Sequence, residues 1–203
     1  NKAHYVPVHI LLYTLPGVPS IYYGSEFGIE GKKEKFSDDS LRPALKYDDY
    51  KNAYKENPFT KLIAALGKAR KENPELAYGD FREHTLTNRQ YAFSRNLNGR
   101  TVAVTVNNDD NQAGFTVPVE GSNKFIGVLS GQTVDVNNGH ISVTIAGNSG
   151  DIWVPATGKA NIENVVNNVV KTETDKKLVE SKIEVKEEIK VEANAIEEIK
   201  KKA

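Results

Sequence analysis

The 203-residue sequence contains no cysteine and no methionine, and it has one tryptophan. Without cysteine the chain forms neither disulfides nor a cysteine-based metal or nucleophile site. No apolar run approaches the ~20 residues of a membrane-spanning helix, and we find no secretory signal sequence. Basic and acidic residues balance at 27 each, so no net charge favours nucleic acid or a membrane surface. We therefore expect a globular protein of one or two domains without nucleic-acid partners.

The lack of methionine also leads us to expect that residue 1 is a processed end or a cut. The missing targeting information then does not distinguish an extracellular from a cytoplasmic bacterial protein. Localisation stays open at this point.

Three regions differ in composition. Residues 1–80 mix helical patterns with Gly/Pro turns, and residues 81–156 are rich in Val, Ile, Thr, Asn and Gly. Residues 157–203 are charged and contain neither proline nor an aromatic residue. We interpret this last region as a solvated, partly helical or disordered tail. The alternative is a helix that contacts another domain or a partner.

The order of elements in the first region is typical of a βα repeat. The apolar spacing over residues 4–15 predicts a helix that Pro16 and Gly17 end. The apolar run 18–23 predicts a short buried strand covered on both faces, with Tyr22 and Tyr23 on opposite faces. Residues 24–44 form a loop whose length suggests a functional role.

A second helix follows the long loop. Asn57 can cap it and Pro58 suits its first position. Its apolar stripe consists of Leu62, Ile63, Leu66 and Ala69. Asn73 and Pro74 are predicted to end it.

The second region predicts an antiparallel β-sandwich, because short alternating strands recur at regular spacing. Asn98 and Gly99 give a hairpin signal, and Asn138 and Gly139 lie between two further alternating runs. The alternating apolar positions are Val102, Val104, Val106, Phe115, Val117, Val119, Ile141, Val143 and Ile145. Trp153, in the last run, reads as sandwich core or rim.

Residues 17–26, Gly-Val-Pro-Ser-Ile-Tyr-Tyr-Gly-Ser-Glu, resemble the eighth-strand motif of the α-amylase superfamily, glycoside hydrolase family 13. That pattern is Gly-x-Pro, apolar residues, then Tyr-Gly-x-Glu. Its fixed positions match the residues Gly17, Pro19, Tyr23, Gly24 and Glu26. Residues 37–43, Ser-Asp-Asp-Ser-Leu-Arg-Pro, are similar to the loop that follows the strand in this family.

The resemblance covers residues 1–156 and implies a fold of the α/β plus all-β class. Residues 1–80 would be the last βα unit of a (β/α)8 barrel, with helix 7, strand 8 and helix 8. Residues 81–156 would be the C-terminal sandwich, and 157–203 the charged tail. The implied architecture is thus a C-terminal fragment of an α-amylase or neopullulanase-like enzyme.

The resemblance also implies roles for single residues. Glu26 is expected to be a structural partner below the site, with a catalytic role as the alternative. Asp38 and Arg42 are expected to hydrogen-bond a glucose unit beyond the cleaved bond, since carboxylates and guanidinium groups bind sugar hydroxyls well. The alternative is an exposed ion pair of little energetic value. Asp39 replaces Asp38 if the register is shifted by one.

No catalytic residue can be assigned in this chain. Retaining hydrolysis needs a carboxylate nucleophile and a carboxyl acid/base about 5–5.5 Å apart, which the superfamily places after earlier strands. We therefore expect the chain alone to be inactive. The parent enzyme would act on α-1,4-linked glucans or maltooligosaccharides, and calcium is possible in it although this piece carries none of the usual ligands.

Alternative functions remain open. A glucanotransferase or isomerase of the same superfamily shares the motif, and a non-catalytic sandwich module for stability, glycan contact or tethering is the third candidate. Tyr47, Tyr50 and Tyr54 could form a sugar platform or simply pack onto the barrel. The four histidines lack the spacing of metal ligands, so we interpret them as helix and surface residues.

Overall fold

The computed structural model describes residues 2–156. The predicted tail at 157–203 lies outside the described residues. The α-helices are α1 (Tyr5–Thr14), α2 (Tyr47–Tyr50), α3 (Ala53–Glu56), α4 (Pro58–Glu72) and α5 (Glu75–Tyr78). The described part of the chain also contains three 3-10 turns, at Lys2–His4, Ser25–Phe27 and Asp39–Leu41.

The long helix α4 begins and ends where the sequence predicts. The Asn57 side chain accepts hydrogen bonds from the backbone amides of Phe59 (2.9 Å) and Thr60 (3.2 Å), which satisfies two of the helix's free donors. Pro58 occupies the first turn, where its missing N–H costs nothing. Leu66 and Ala69 are buried, so the predicted apolar stripe faces the core.

Within residues 2–156, eight strands follow the helices: β1 (Asp80–Leu86), β2 (Gln90–Leu97), β3 (Arg100–Asn107), β4 (Ala113–Pro118), β5 (Lys124–Gly127), β6 (Thr133–Asp135), β7 (His140–Ile145) and β8 (Ser149–Pro155). They form a six-stranded sheet in the order β1-β2-β3-β8-β5-β6 and a two-stranded sheet β4-β7. All pairings are antiparallel. The predicted antiparallel sheets are therefore present.

The two Asn-Gly sequences form turns, one between strands of the same sheet and one between strands of different sheets. Asn98 (φ 51°) and Gly99 (φ 75°) join β2 and β3 in a regular hairpin, as two successive positive φ values allow. Asn138 (φ 51°) and Gly139 (φ 75°) join β6 and β7, which lie in different sheets. One bridge between Asn137 and His140 is the pairing at this turn.

The six-stranded sheet has an apolar core on each face. Between the sheets, a cluster includes Phe115, Phe125 and Trp153. On the opposite face, Val102 and Val104 of β3 belong to a cluster with α1, α4 and α5, whose members there are Ile10, Leu66, Ala69 and Leu76. The central strand is thus buried on both faces, and the helices form a third layer that the alternation in β3 does not reveal.

The predicted buried strand at residues 18–23 is wrong in this structure. The segment has no assigned strand, and Val18 is 92 % exposed. A strand is held by hydrogen bonds to a neighbour, and within residues 2–156 no parallel strand lies beside this segment. The apolar run alone does not supply that partner.

Candidate functional site

The chain at the end of the motif, which comprises residues 17–26, is held by three side-chain hydrogen bonds. The carbonyl groups of the 3-10 turn Ser25–Phe27 each accept one. The bonds run from Tyr5 Oη to Ser25 O (2.6 Å), from Thr60 Oγ1 to Glu26 O (2.7 Å) and from Asn57 Nδ2 to Phe27 O (3.0 Å). Helix α1 and the first turn of α4 therefore fix the position of this turn, which begins the long loop.

Two of the motif glycines occupy backbone conformations that suit glycine. Gly17 has φ 118° and Gly24 has φ 89°, where a Cβ atom is unfavourable. Gly24 directly precedes the 3-10 turn, and its carbonyl accepts from the amide of Ile29 (3.0 Å). Pro19 lies between them in a segment that has no assigned helix or strand. Gly17 and Gly24 therefore mark the two ends of the segment at residues 18–23.

A cavity of about 360 Å³ lies between the motif and the following loop. Asp38 and Arg42, the two residues predicted to bind a sugar, both line it, together with Tyr22, Tyr23 and Ser40. The structure therefore brings two loop residues and two motif tyrosines to one place. We call this group of five residues and their cavity the loop cavity.

The 3-10 turn Asp39–Leu41 explains how Asp38 and Arg42 reach the same cavity. The amide of Leu41 donates to Asp38 O (2.9 Å) and that of Arg42 donates to Asp39 O (3.0 Å), so the two residues flank one tight turn. Asp39 does not line the cavity. The Asp38 carboxylate also lies 3.6 Å from the Lys33 ammonium, an exposed pair of small energetic value.

Tyr22 and Tyr23 do not point to opposite faces, contrary to the expectation for a strand. Their ring centroids are 4.9 Å apart, and both line the loop cavity. The pleat that alternates side chains is absent because the segment is unpaired and turns at Tyr23 and Gly24. Burial and the neighbouring Tyr22 raise the pKa of Tyr23, and Arg42 opposes that shift.

Glu26 lies in the 3-10 turn and not in the loop cavity. Within the described residues, its Oε2 atom is buried without a hydrogen-bond partner. Burial, and then the charge of Glu26, raise the pKa of Tyr5 to about 12. Tyr5 therefore stays protonated and donates to Ser25 O at physiological pH.

The other aromatic candidates separate into packed and exposed residues. The ring centroids of Tyr50 and Phe27 lie 4.1 Å apart in a stacked arrangement, so Tyr50 packs against the 3-10 turn Ser25–Phe27. Tyr47 (81 % exposed) and Tyr54 (72 % exposed) remain open to solvent. Trp153 is fully buried in the core between the sheets, and its Nε1 donates to Thr105 Oγ1 (2.9 Å).

Three of the four histidines make the following hydrogen bonds, and that of His84 is described below with the second cavity. His4 Nδ1 contacts Asn108 Oδ1 (2.7 Å), His9 Nδ1 contacts Tyr5 O (2.8 Å), and His140 Nδ1 contacts Asn138 O (2.8 Å). Within residues 2–156, no group of three or more acidic or histidine side chains could hold a metal ion.

Sequence reasoning missed the residues that hold the site. Tyr5 and Thr60 carry no local signal for their bonds to the motif, because their partners are 20 and 34 residues away. Asn57 was identified as a helix cap, and its second bond to Phe27 O became visible only in three dimensions.

Comparison with known sequences finds α-glucan-related enzymes. The chain is 29 % identical over 137 residues to a β/α-amylase of Paenibacillus polymyxa, an alignment that covers 66 % of this chain and 11 % of the relative. It is 33 % identical over 103 residues to a cyclomaltodextrinase of Thermoanaerobacter pseudethanolicus, covering 51 % and 17 %. A cyclomaltodextrin glucanotransferase of a Bacillus species is 29 % identical, covering 70 % and 20 %. No model of a known protein family matches the chain.

Solved structures share the fold. An Anoxybacillus α-amylase superposes with a TM-score of 0.63 at 21 % identity, covering 77 % of this chain and 33 % of the neighbour. The α-amylase of Geobacillus thermoleovorans in complex with acarbose gives a TM-score of 0.62 at 19 % identity, with coverages of 75 % and 33 %.

The relatives and structural neighbours are enzymes of the α-amylase superfamily, glycoside hydrolase family 13, so the resemblance stated from the sequence is confirmed. The chain spans between a tenth and a quarter of the length of the curated relatives it matches. The activities named for these relatives therefore belong to those longer proteins, and they are not assigned to this chain by similarity. Among residues 2–156, no helix is long and apolar enough to span a membrane.

Proposed function

We propose that this chain is part of a retaining α-glucan hydrolase of the α-amylase type that acts on α-1,4-linked glucans. In this proposal, Asp38 and Arg42 bind one glucose unit beyond the scissile bond. One observation carries it: both residues line the same cavity as Tyr22 and Tyr23. A carboxylate accepts hydrogen bonds from sugar hydroxyls and a guanidinium donates to them. The tyrosine rings offer apolar surface and phenol hydroxyls beside them.

The loop cavity suits binding better than bond cleavage. Its lining contains one carboxylate, that of Asp38, whereas retaining hydrolysis needs two carboxyl groups about 5–5.5 Å apart. We therefore propose that the 203-residue chain by itself does not hydrolyse starch. Incubating the purified chain with starch and measuring reducing ends should give no signal above buffer. Release of reducing ends that depends on Asp38 would overturn this part of the proposal.

Binding through the loop cavity can be tested separately from catalysis. Titration of the full chain with maltotriose, followed by ¹H–¹⁵N NMR, should shift amide signals at residues 22–24 and 38–43. Asp38→Asn and Arg42→Gln should each weaken binding about tenfold, which corresponds to about 1.4 kcal/mol. Asp48→Asn is the matched control, because Asp48 forms an exposed ion pair with Lys51 outside the cavity.

Unchanged affinity in both cavity variants would refute the assignment of Asp38 and Arg42. No maltotriose binding at all, in a chain that folds normally, would favour the non-catalytic module. In that case the sandwich would serve stability or tethering.

A glucanotransferase is the second candidate, favoured by relatives that are named cyclomaltodextrin glucanotransferases. The two reactions share the glycosyl-enzyme intermediate and differ in whether water or a sugar hydroxyl accepts the glycosyl group. Product analysis of the longer protein encoded at the source locus separates them. Linear maltooligosaccharides support hydrolysis, and cyclic products support transfer.

A further inference from the structure

A second polar cavity, of about 200 Å³, lies where β1–β3 meet the end of β4 and the turn before β7. Its walls include Arg82, His84, Asn96, Thr101 and Glu120. It shares no lining residue with the loop cavity. At roughly 30 Å³ per water molecule, it has room for one small polar ligand. We call it the sandwich cavity.

Four successive hydrogen bonds run along the wall of the sandwich cavity. The amide of Glu120 donates to Thr101 Oγ1 (3.0 Å), and Thr101 Oγ1 donates to Asn96 Oδ1 (2.7 Å). Asn96 Nδ2 donates to Ser94 Oγ (2.9 Å), which lies 2.8 Å from His84 Nε2. Ser94 and Thr101 are buried, and His84 and Asn96 are half-buried.

These bonds orient the polar side chains of the wall. Because Thr101 donates to Asn96 Oδ1, the Asn96 nitrogen faces Ser94 and donates to its hydroxyl, which in turn contacts His84 Nε2. Burial, with the nearby charges of Arg82 and His140, holds the pKa of His84 below its usual value. The wall is therefore arranged before any ligand enters, which lowers the entropic cost of binding.

Two side chains of opposite charge, Arg82 and Glu120, line the same cavity. Within residues 2–156, neither the Arg82 guanidinium nor the Glu120 carboxylate makes a hydrogen bond or ion pair with another side chain. An anion would meet the Glu120 carboxylate, and a cation would meet the Arg82 guanidinium. A neutral ligand with several hydroxyl groups satisfies both, since each hydroxyl donates and accepts. Pro118 and Val119 add apolar surface for the C–H face of such a ligand.

We propose that the sandwich cavity is a second saccharide site, which binds one sugar unit between Arg82, Glu120 and the wall formed by His84 and Asn96. The cavity's chemistry requires only a neutral, hydroxyl-rich ligand. The choice of an α-1,4-glucan as that ligand rests on the proposed function. The site gives a longer glucan a second attachment point on the same chain as the loop cavity.

The test is an NMR titration of the full chain with maltotriose, in which the two cavities are read separately. Signals of residues 82–84, 94–96 and 118–120 should shift in the wild type. Arg82→Gln and Glu120→Gln should each weaken the binding that these signals report at least tenfold, and leave the shifts at 38–43 unchanged. Arg89→Gln is the matched control, because Arg89 is an exposed arginine in the neighbouring β1–β2 turn.

The outcomes separate this inference from the proposed function. Shifts confined to the loop cavity overturn the second site and leave the first intact. Shifts confined to the sandwich cavity support the second site and count against the assignment of Asp38 and Arg42. Sandwich shifts that persist unchanged in both variants overturn the inference. Inorganic phosphate serves as the competing probe: if it shifts these signals and maltotriose does not, the cavity is an anion site instead. The dispersion of the remaining signals verifies that each variant folds.

Discussion

Arg70 and Arg95 both donate to the carbonyl oxygen of Leu76, each over 2.9 Å, although both side chains are cationic. Arg70 also donates to Tyr13 O (2.7 Å), and Arg95 to Thr14 O (2.8 Å). The last carbonyl groups of a helix lack intrahelical donors, and the C-terminal end of a helix favours positive charge. The two guanidinium groups thus connect the end of α1 and helix α5 to helix α4, which carries Arg70, and to strand β2, which carries Arg95.

We expect Arg95→Met to destabilise the fold strongly. The substitution leaves the carbonyl groups of Thr14 and Gly79 without their Arg95 donors, and a buried unsatisfied polar group costs about 1–3 kcal/mol. The free energy of unfolding should fall by about 3 kcal/mol or more, measured by urea denaturation. Arg89→Met is the control: its ion pair with Asp109 is largely exposed, so the change should stay within about 0.5 kcal/mol. A loss at Arg95 no larger than at Arg89 would contradict the role of these bonds.

Gly28→Ala should disturb the 3-10 turn Ser25–Phe27, here called the motif turn, more than a substitution at a comparable glycine. Gly28 has φ 71°, and a Cβ atom there would overlap the Phe59 ring. Left-handed backbone costs a non-glycine residue about 1–2 kcal/mol, and overpacking adds about 1–3 kcal/mol. Gly99→Ala is the matched variant, because Gly99 has φ 75° and open space around it. Thermal unfolding should rank Gly28→Ala clearly below Gly99→Ala; equal melting temperatures would exclude the clash with Phe59.

Tyr5→Phe should change how stability depends on alkaline pH. The pKa of Tyr5 is raised from 10.0 to about 12 in the folded protein, so the unfolded chain loses this proton first. The contribution of Tyr5 is complete below pH 10, and it is lost as the pH rises towards 12. Tyr5→Phe should flatten this decline, and it should cost about 1 kcal/mol at neutral pH through the lost bond to Ser25 O. Denaturation curves between pH 7 and 11 measure both effects.

Tyr47→Phe is the control for that measurement. Tyr47 is exposed, and its substitution should alter neither the neutral stability nor the alkaline slope. If Tyr5→Phe and Tyr47→Phe give the same pH profile, Tyr5 is not the group that titrates late.

The lowered pKa of His84 predicts a loss of stability at acidic pH, whereas the raised pKa of Tyr5 predicts one at alkaline pH. Burial first, then the charges of Arg82 and His140, lower its pKa below the ordinary 6.5, so the unfolded chain binds the proton first as the pH falls. Above pH 6.5 both states are neutral, and stability is then lost as the pH falls through the folded-state value. His84→Asn should reduce this acid sensitivity between pH 7 and 5. NMR titration of the His84 ring should give a pKa below 6.5; a value above 6.5 would refute the assignment.

Parts of the candidate site were accessible from the sequence and parts were not. Asp38 and Arg42 were predicted from the resemblance and from their spacing, and both line the loop cavity. The same reasoning failed at residues 18–23, because an apolar run shows that a segment can be buried but not whether a neighbour covers it. Tyr22 and Tyr23 consequently face one cavity together. Whether Asp38 and Arg42 bind a sugar stays a prediction.

The sequence by itself determined the local structure: the cap of α4 at Asn57, the turn at Asn98 and Gly99, and the alternation that builds the two antiparallel sheets. These features depend on neighbours within a few residues, so their signals are local. Only the tertiary structure decided that helices cover the second face of the six-stranded sheet, that Tyr5 and Thr60 hold the motif turn, and that Arg70 and Arg95 share one carbonyl. Those contacts join residues far apart in the chain, and they follow from which surfaces pack together and which buried carbonyl groups then need a donor.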